Sequence, residues 1–123
     1  MFKRTTLLAL GMLFAGNAAH AASFNCTAAI LDYAFSVTGN LSGGKLSGPA
    51  VIYVTKGGSP LNRAALAVSQ SQFADKQSLA FDAAYPHAKI QVNTRYQGGT
   101  YNGTLAIQSD QGNTNLGTVC KVQ

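Results

Sequence analysis

Lys89-Ile90-Gln91-Val92-Asn93-Thr94-Arg95-Tyr96-Gln97, then Gly98-Gly99, then Thr100-Tyr101-Asn102-Gly103-Thr104-Leu105-Ala106-Ile107-Gln108 is the stretch that decides the fold. Apolar and polar residues alternate with a period of two on both sides of a diglycine, the signature of two half-buried strands joined by a tight hairpin. If the glycines are the two central turn residues, Tyr96 faces Tyr101, Val92 faces Leu105 and Ile90 faces Ile107. The other face then pairs Arg95 with Asn102, Asn93 with Thr104 and Lys89 with Gln108. One register separates apolar from polar residues, and a slip of one residue would destroy that separation.

The same alternation runs outward from this hairpin in both directions. Phe24, Cys26, Ala28 and Ile30 alternate with Asn25, Thr27 and Ala29; Tyr33, Phe35 and Val37 alternate with smaller residues, and the period of two continues through Leu79, Phe81, Ala83 and Tyr85 and finally Leu116, Thr118, Cys120 and Val122. Ala50-Val51-Ile52-Tyr53-Val54 is apolar on both faces and is expected to be a central strand covered on both sides. Turn chemistry stands between the strands at Gly39-Asn40, Gly43-Gly44, Gly57-Gly58-Ser59-Pro60, Tyr85-Pro86-His87, Gly98-Gly99 and Gly112-Asn113. A Gly112-Asn113 turn sets Leu105 against Cys120 and Ile107 against Thr118, and moving that turn back by one residue still leaves Cys120 facing inward. The segment 60–69 reads differently. Ser59-Pro60 is a good N-cap and first-turn pair, and the alanines and leucines after it tolerate a helix, although Ala64, Leu66 and Val68 also alternate as a strand would. The expected fold is mainly β: one small antiparallel β-sandwich or barrel of seven to eight strands with meander hairpins and a short helix near 60–69.

The chain opens with Lys3 and Arg4, an apolar run from Leu7 to Ala15, and a small-residue exit at Asn17-Ala18-Ala19-His20-Ala21-Ala22. This is the pattern of a secretory signal peptide, with cleavage expected between Ala21 and Ala22. The run is about half the roughly 20 apolar residues a membrane-spanning helix needs. The expected domains are therefore a signal peptide over 1–21 and an exported, periplasmic or secreted, domain over 22–123. About 100 residues hold one core. The chain has two cysteines, Cys26 and Cys120, near opposite ends of that domain. Export makes a structural disulfide between them the expectation, and their separation excludes a CxxC redox pair or a cysteine zinc cluster.

Composition narrows the function by exclusion. Nine basic residues stand against four aspartates and no glutamate, for a formal charge of +5, which falls to +3 once Lys3 and Arg4 are removed. The remaining bases are dispersed, without the clustering a phosphate-tracking surface requires, so no nucleic-acid partner is expected. After leader removal one histidine remains, His87, and the aspartates are scattered. No nucleophile context, carboxylate pair or ligand cluster is legible, which leads to the expectation of a non-enzymatic protein without metal or cofactor.

The most suggestive surface is the tip of the Gly98-Gly99 hairpin, where Arg95, Tyr96, Gln97, Thr100, Tyr101 and Asn102 gather aromatic and hydrogen-bonding groups, a mixture common at recognition surfaces. The competing role for Tyr96 and Tyr101 is an ordinary cross-strand core pair. Arg95-Tyr96 and the glycine-rich stretch through Leu105, together with the size and the terminal cysteines, resemble the small β-barrel inhibitors of c-type lysozyme found in bacterial envelopes. That resemblance implies a periplasmic inhibitor; the serine-glycine and lysine-glycine elements of that family have no counterpart here. The sequence reading is thus an exported binding protein, monomeric and without a membrane span, whose partner is a protein or an envelope or glycan component. An adhesin or surface antigen is another form of the same reading, and a small hydrolase is the minority competitor.

Overall fold

The computed structural model describes residues 22–123, so the expected signal peptide lies outside the described residues. Eight antiparallel strands follow one another: β1 (Ala22–Ile30), β2 (Tyr33–Ser42), β3 (Lys45–Lys56), β4 (Ser59–Ala74), β5 (Ser78–Tyr85), β6 (Ala88–Gln97), β7 (Thr100–Ser109) and β8 (Gly112–Val122). Each pairs with the next, and β8 returns to β1, closing an up-and-down barrel. The β2–β3, β3–β4 and β6–β7 connections are diglycine turns. In the last, Gly98 and Gly99 both hold positive φ (65° and 97°), the geometry whose twist matches the flanking strands.

Closure gives every strand one inner and one outer face, and the alternation of the sequence maps onto them. Phe24, Cys26 and Ala28 of β1, Val37 and Leu41 of β2, Leu46, Ala50 and Ile52 of β3, and Leu66 of β4 are buried inside. From the other half come Leu79, Phe81, Ala83, Ile90, Val92, Tyr101, Leu105 and Leu116. Eight strands enclose a space that side chains can fill, and here Phe24 meets Phe81 with ring centroids 5.3 Å apart. Two inward polar groups are satisfied by carbonyls: Thr94 Oγ1 donates to Leu79 O at 2.7 Å and Thr118 Oγ1 to Thr27 O at 2.8 Å.

The β6–β7 register is the expected one, with Tyr96 opposite Tyr101, Val92 opposite Leu105 and Ile90 opposite Ile107. Four local expectations are corrected. No helix forms over 60–69; these residues belong to the 16-residue β4, which pairs with β3 through Ser59–Leu66 and with β5 through Ala67–Ala74. Ladder partners on two sides outweigh helix propensity, and Pro60 is accommodated beside a bulge at the strand's start, where a missing N–H is tolerated. Gly39-Asn40 lies within β2 at a register shift and makes no turn. Ala50–Val54 is not covered on both sides: Ala50 and Ile52 face the core, whereas Tyr53 is 39 % exposed on the outer wall. The last turn centres on Asp110-Gln111, two residues before Gly112-Asn113, so Cys120 faces Tyr101 and Leu105 faces Leu116 instead of Cys120, a register shift of four residues. An even register shift keeps the parity, which is why Cys120 still points inward.

The β1–β8 ladder that closes the barrel runs from Phe24 opposite Val122 to Thr27 opposite Val119, and within it Cys26 sits directly opposite Cys120 and is disulfide-bonded to it. The bond joins residues 94 apart in sequence. Cross-linking so long a loop limits the unfolded ensemble by about 4.7 kcal/mol in the chain-entropy account. Thiol titration of the unreduced, denatured domain should therefore find no free thiol, and replacing both cysteines by alanine should lower stability by about 2–5 kcal/mol in urea unfolding. Two titratable thiols would contradict the pairing.

Two glycines lie where a side chain has no room. A Cβ on Gly39 would meet the Phe24 ring at 2.7 Å, and one on Gly103 would meet Asn93 O and, at 2.8 Å, Thr94 Cα. The obstacle at Gly103 is backbone, which yields less readily than a side chain. Gly103→Ala is expected to destabilise the barrel by about 1–3 kcal/mol, the range of core overpacking. Gly117→Ala, with nothing within 4 Å of its Cβ, should stay within about 0.5 kcal/mol of the parent in the same unfolding measurement.

Candidate functional site at the β6–β7 hairpin tip

Of the six residues gathered at the tip, the structure divides two from four. Tyr96 and Tyr101 turn inward as a cross-strand pair, edge to face with centroids 5.1 Å apart, and Phe73 of β4 packs on Tyr101 at 5.8 Å. Tyr101 is 3 % exposed and Tyr96 half-buried, so their rings seal this end of the barrel. Arg95, Gln97, Thr100 and Asn102 share the outer face. Asn102, opposite Arg95, is folded back on the turn: its Nδ2 donates to Gln97 O and Thr100 O, both at 3.3 Å, and to Thr100 Oγ1 at 3.1 Å. That amide serves the turn, and Arg95 and Gln97 project beside Thr100, whose hydroxyl is one of its acceptors.

The tip is also held from behind by residues that sequence reasoning passed over. The β4–β5 turn, Asp75-Lys76-Gln77, leans on the hairpin through two hydrogen bonds. Lys76 N donates to Tyr101 Oη at 2.8 Å and Tyr96 N donates to Gln77 O at 2.9 Å. Lys76 adopts the left-handed region (φ 58°), uncommon for a residue with a Cβ, and the bond to Tyr101 holds it there. Nothing local in the sequence announces this contact, because Lys76 and Tyr101 are 25 positions apart. Burial raises the Tyr101 phenol above its ordinary range, the Lys76 N–H partly offsets this, and the nearby Asp75 charge and Tyr96 add to the rise.

The remaining reactive groups are spread over the barrel. His87 Nδ1 lies 3.6 Å from Asp110 Oδ2 at the opposite end, with both side chains more than four-fifths exposed. The neighbouring Ser109 hydroxyl is engaged in its own turn, donating to Gly112 O and accepting from Gln111 N. Asp32 and Asp75 occupy separate turns and Asp82 lies on the wall of β5. Among the described residues there is no group of three His, Cys, Asp or Glu side chains placed to hold a metal ion.

No family model matches the chain, and no curated protein or solved structure is significantly similar to it.

The buried phenol sets a pH dependence. Its folded-state pKa lies above the unfolded value near 10.0, so the folded state holds its proton more tightly, and the associated stability is present below pH 10 and lost as pH rises through the folded pKa. Urea midpoints measured from pH 8.5 upward should fall more steeply for the parent than for Tyr101→Phe, which removes this titration while leaving the lysines common to both. Parallel pH profiles would show that Tyr101 does not contribute.

Proposed function

We propose that this protein is a non-enzymatic, exported binding domain that engages a partner protein or envelope component through the rim formed by the β6–β7 hairpin and the β4–β5 turn. The observation that carries this reading is the double clamp behind the tip: Lys76 N to Tyr101 Oη and Tyr96 N to Gln77 O. With Asn102 stapled across the turn and two tyrosines packed beneath, Arg95, Gln97 and Thr100 project from a surface that has little conformational freedom left to lose. Preorganisation of this kind raises affinity by lowering the ordering cost of binding. Arginine beside small polar groups is a frequent anchor at protein interfaces.

Two further features support the wider reading. A disulfide is consistent with an oxidising, exported setting. The outer wall carries Asn25, Gln91, Asn93, Arg95, Thr104 and Asn115, whereas a lipid-facing barrel would direct apolar residues outward and polar ones into the lumen. The His87–Asp110 contact, exposed at the far end from the clamp, offers no comparable preorganisation for the hydrolase alternative.

The test replaces Arg95, Gln97 and Thr100 by alanine together. Arg95 and Gln97 are exposed, and Asn102 keeps its backbone acceptors Gln97 O and Thr100 O when the Thr100 hydroxyl is removed, so the melting temperature should move little, as befits surface substitutions usually worth less than about 0.5 kcal/mol each. Binding partners captured from envelope extract by the immobilised parent domain should be lost from the triple variant. Leu105→Ala should do the reverse, costing about 2–5 kcal/mol of stability through a core cavity while leaving the rim's chemistry in place. Capture by the triple variant equal to the parent's would overturn the rim assignment.

A further inference from the structure

A second surface lies on the outer wall of β8, β1 and β2, near the chain ends. Strand register arranges its polar side chains in two adjacent rungs. Lys121, Asn25 and Thr38 stand side by side in one, since Asn25 pairs with both Lys121 and Thr38. Gln123, Ser23 and Asn40 form the next, with Ser23 and Gln123 exchanging backbone hydrogen bonds and Ser23 pairing with Asn40. All six project outward because Phe24, Cys26, Val37 and Leu41, which alternate with them, are buried inside. Within a rung the spacing is the interstrand distance, about 4.8 Å.

The surface is concave, and the backbone explains why. The β2–β3 register shifts between Thr38 and Asn40, and bulges of this kind sharpen the bend of a sheet. Gly48 then takes a positive φ of 77° and Pro49 supplies no N–H, so the β3–β4 ladder begins only at Ala50 opposite Leu66. The result is a groove of about 420 Å³ whose far bank is Pro49 and Val51, within the size range of small-ligand sites.

The groove's chemistry is selective. It presents three carboxamides, two hydroxyls and one ammonium, while the four aspartates of the chain stand elsewhere, in three turns and on β5. A carboxamide offers a donor and an acceptor side by side, which matches neighbouring hydroxyls on a sugar ring. Asn25 is already oriented: its Oδ1 accepts from Ser36 Oγ at 2.7 Å, leaving the NH₂ group for a ligand. Lys121 is the only charged side chain in the groove and would meet a single anionic substituent.

From this array we infer that the groove binds an oligosaccharide containing an acidic sugar, with Asn25, Asn40 and Gln123 reading ring hydroxyls and Lys121 pairing with the sugar carboxylate. The inference deepens the proposed binding role by naming a ligand class, and it rests on residues outside the hairpin rim. The two surfaces therefore fail separately.

The experiment is a ¹⁵N-labelled NMR titration of the domain with two defined probes, a tetragalacturonate (acidic) and a tetramer of N-acetylglucosamine (neutral). Shifts are expected at the Asn25, Thr38, Asn40 and Lys121 amides and the asparagine side chains, with tighter binding of the acidic probe. Asn25→Ala combined with Asn40→Ala should weaken binding by about tenfold or more, an amount equivalent to about 1.4 kcal/mol. The melting temperature serves as the control for folding. Lys121→Gln should abolish the preference for the acidic probe, and the Arg95, Gln97 and Thr100 triple alanine variant should bind both probes as the parent does. No shift with either probe at millimolar concentration, shifts confined to another surface, or unchanged binding by the asparagine double variant would overturn the site. Equal affinity for the two probes with Lys121→Gln silent would overturn the acidic-sugar assignment.

Discussion

Everything in this barrel depends on the closing ladder between β1 and β8, with the Cys26–Cys120 disulfide set in its middle. The other seven ladders join neighbours in sequence and need only a short turn to form. The eighth must bring together the two ends of the domain, at the greatest loop-closure cost in the structure. Once it forms, no strand edge is left unpaired by topology, and the inner face becomes a single enclosed space. The covalent bond crosses the one seam whose halves are not held near each other by the chain itself.

Closure also explains the division of labour between the two faces. The interior is filled by leucine, isoleucine, valine and phenylalanine, with glycine or alanine where a neighbour intrudes, as Gly39 does beneath Phe24. Recognition groups can then occur only on the outer wall or at the rims. The rim at the β6–β7 hairpin is strengthened by a neighbour in space, the β4–β5 turn, whose backbone meets Tyr101 and Tyr96. Tyrosine there acts by packing its ring inward and offering its hydroxyl to a backbone N–H, and so holds the polar residues around it in place.

The wall groove arises from the opposite circumstance, a local failure of regular pairing. Gly48, Pro49 and the Gly39 register shift bend β2 and β3 away from a smooth cylinder, and the bend turns a polar wall into a concave one. Irregularities of this sort are costly within a sheet, and they stand where polar side chains from three strands converge.

The sequence by itself determined the strand alternation, the β6–β7 register and the inward placement of both cysteines. These follow from a period of two and from diglycine turns, both encoded within a few residues. It did not determine the state of Ser59–Ala74, where an N-cap signal and alternating alanines are balanced locally and pairing with β3 and β5 settles the matter. Nor did it determine the β7–β8 register, since Asp110-Gln111 and Gly112-Asn113 both make acceptable turns and preserve parity. Ala50–Val54 looked apolar on both faces, but a closed barrel has no doubly covered strand, so Tyr53 is placed outside. The support of Tyr101 and Tyr96 by Lys76 and Gln77, and the convergence of Asn25, Asn40 and Lys121, were decided only by tertiary structure. Each joins residues distant in sequence, the first through the pairing of β5 with β6 and the second only once the two ends of the domain have been brought together.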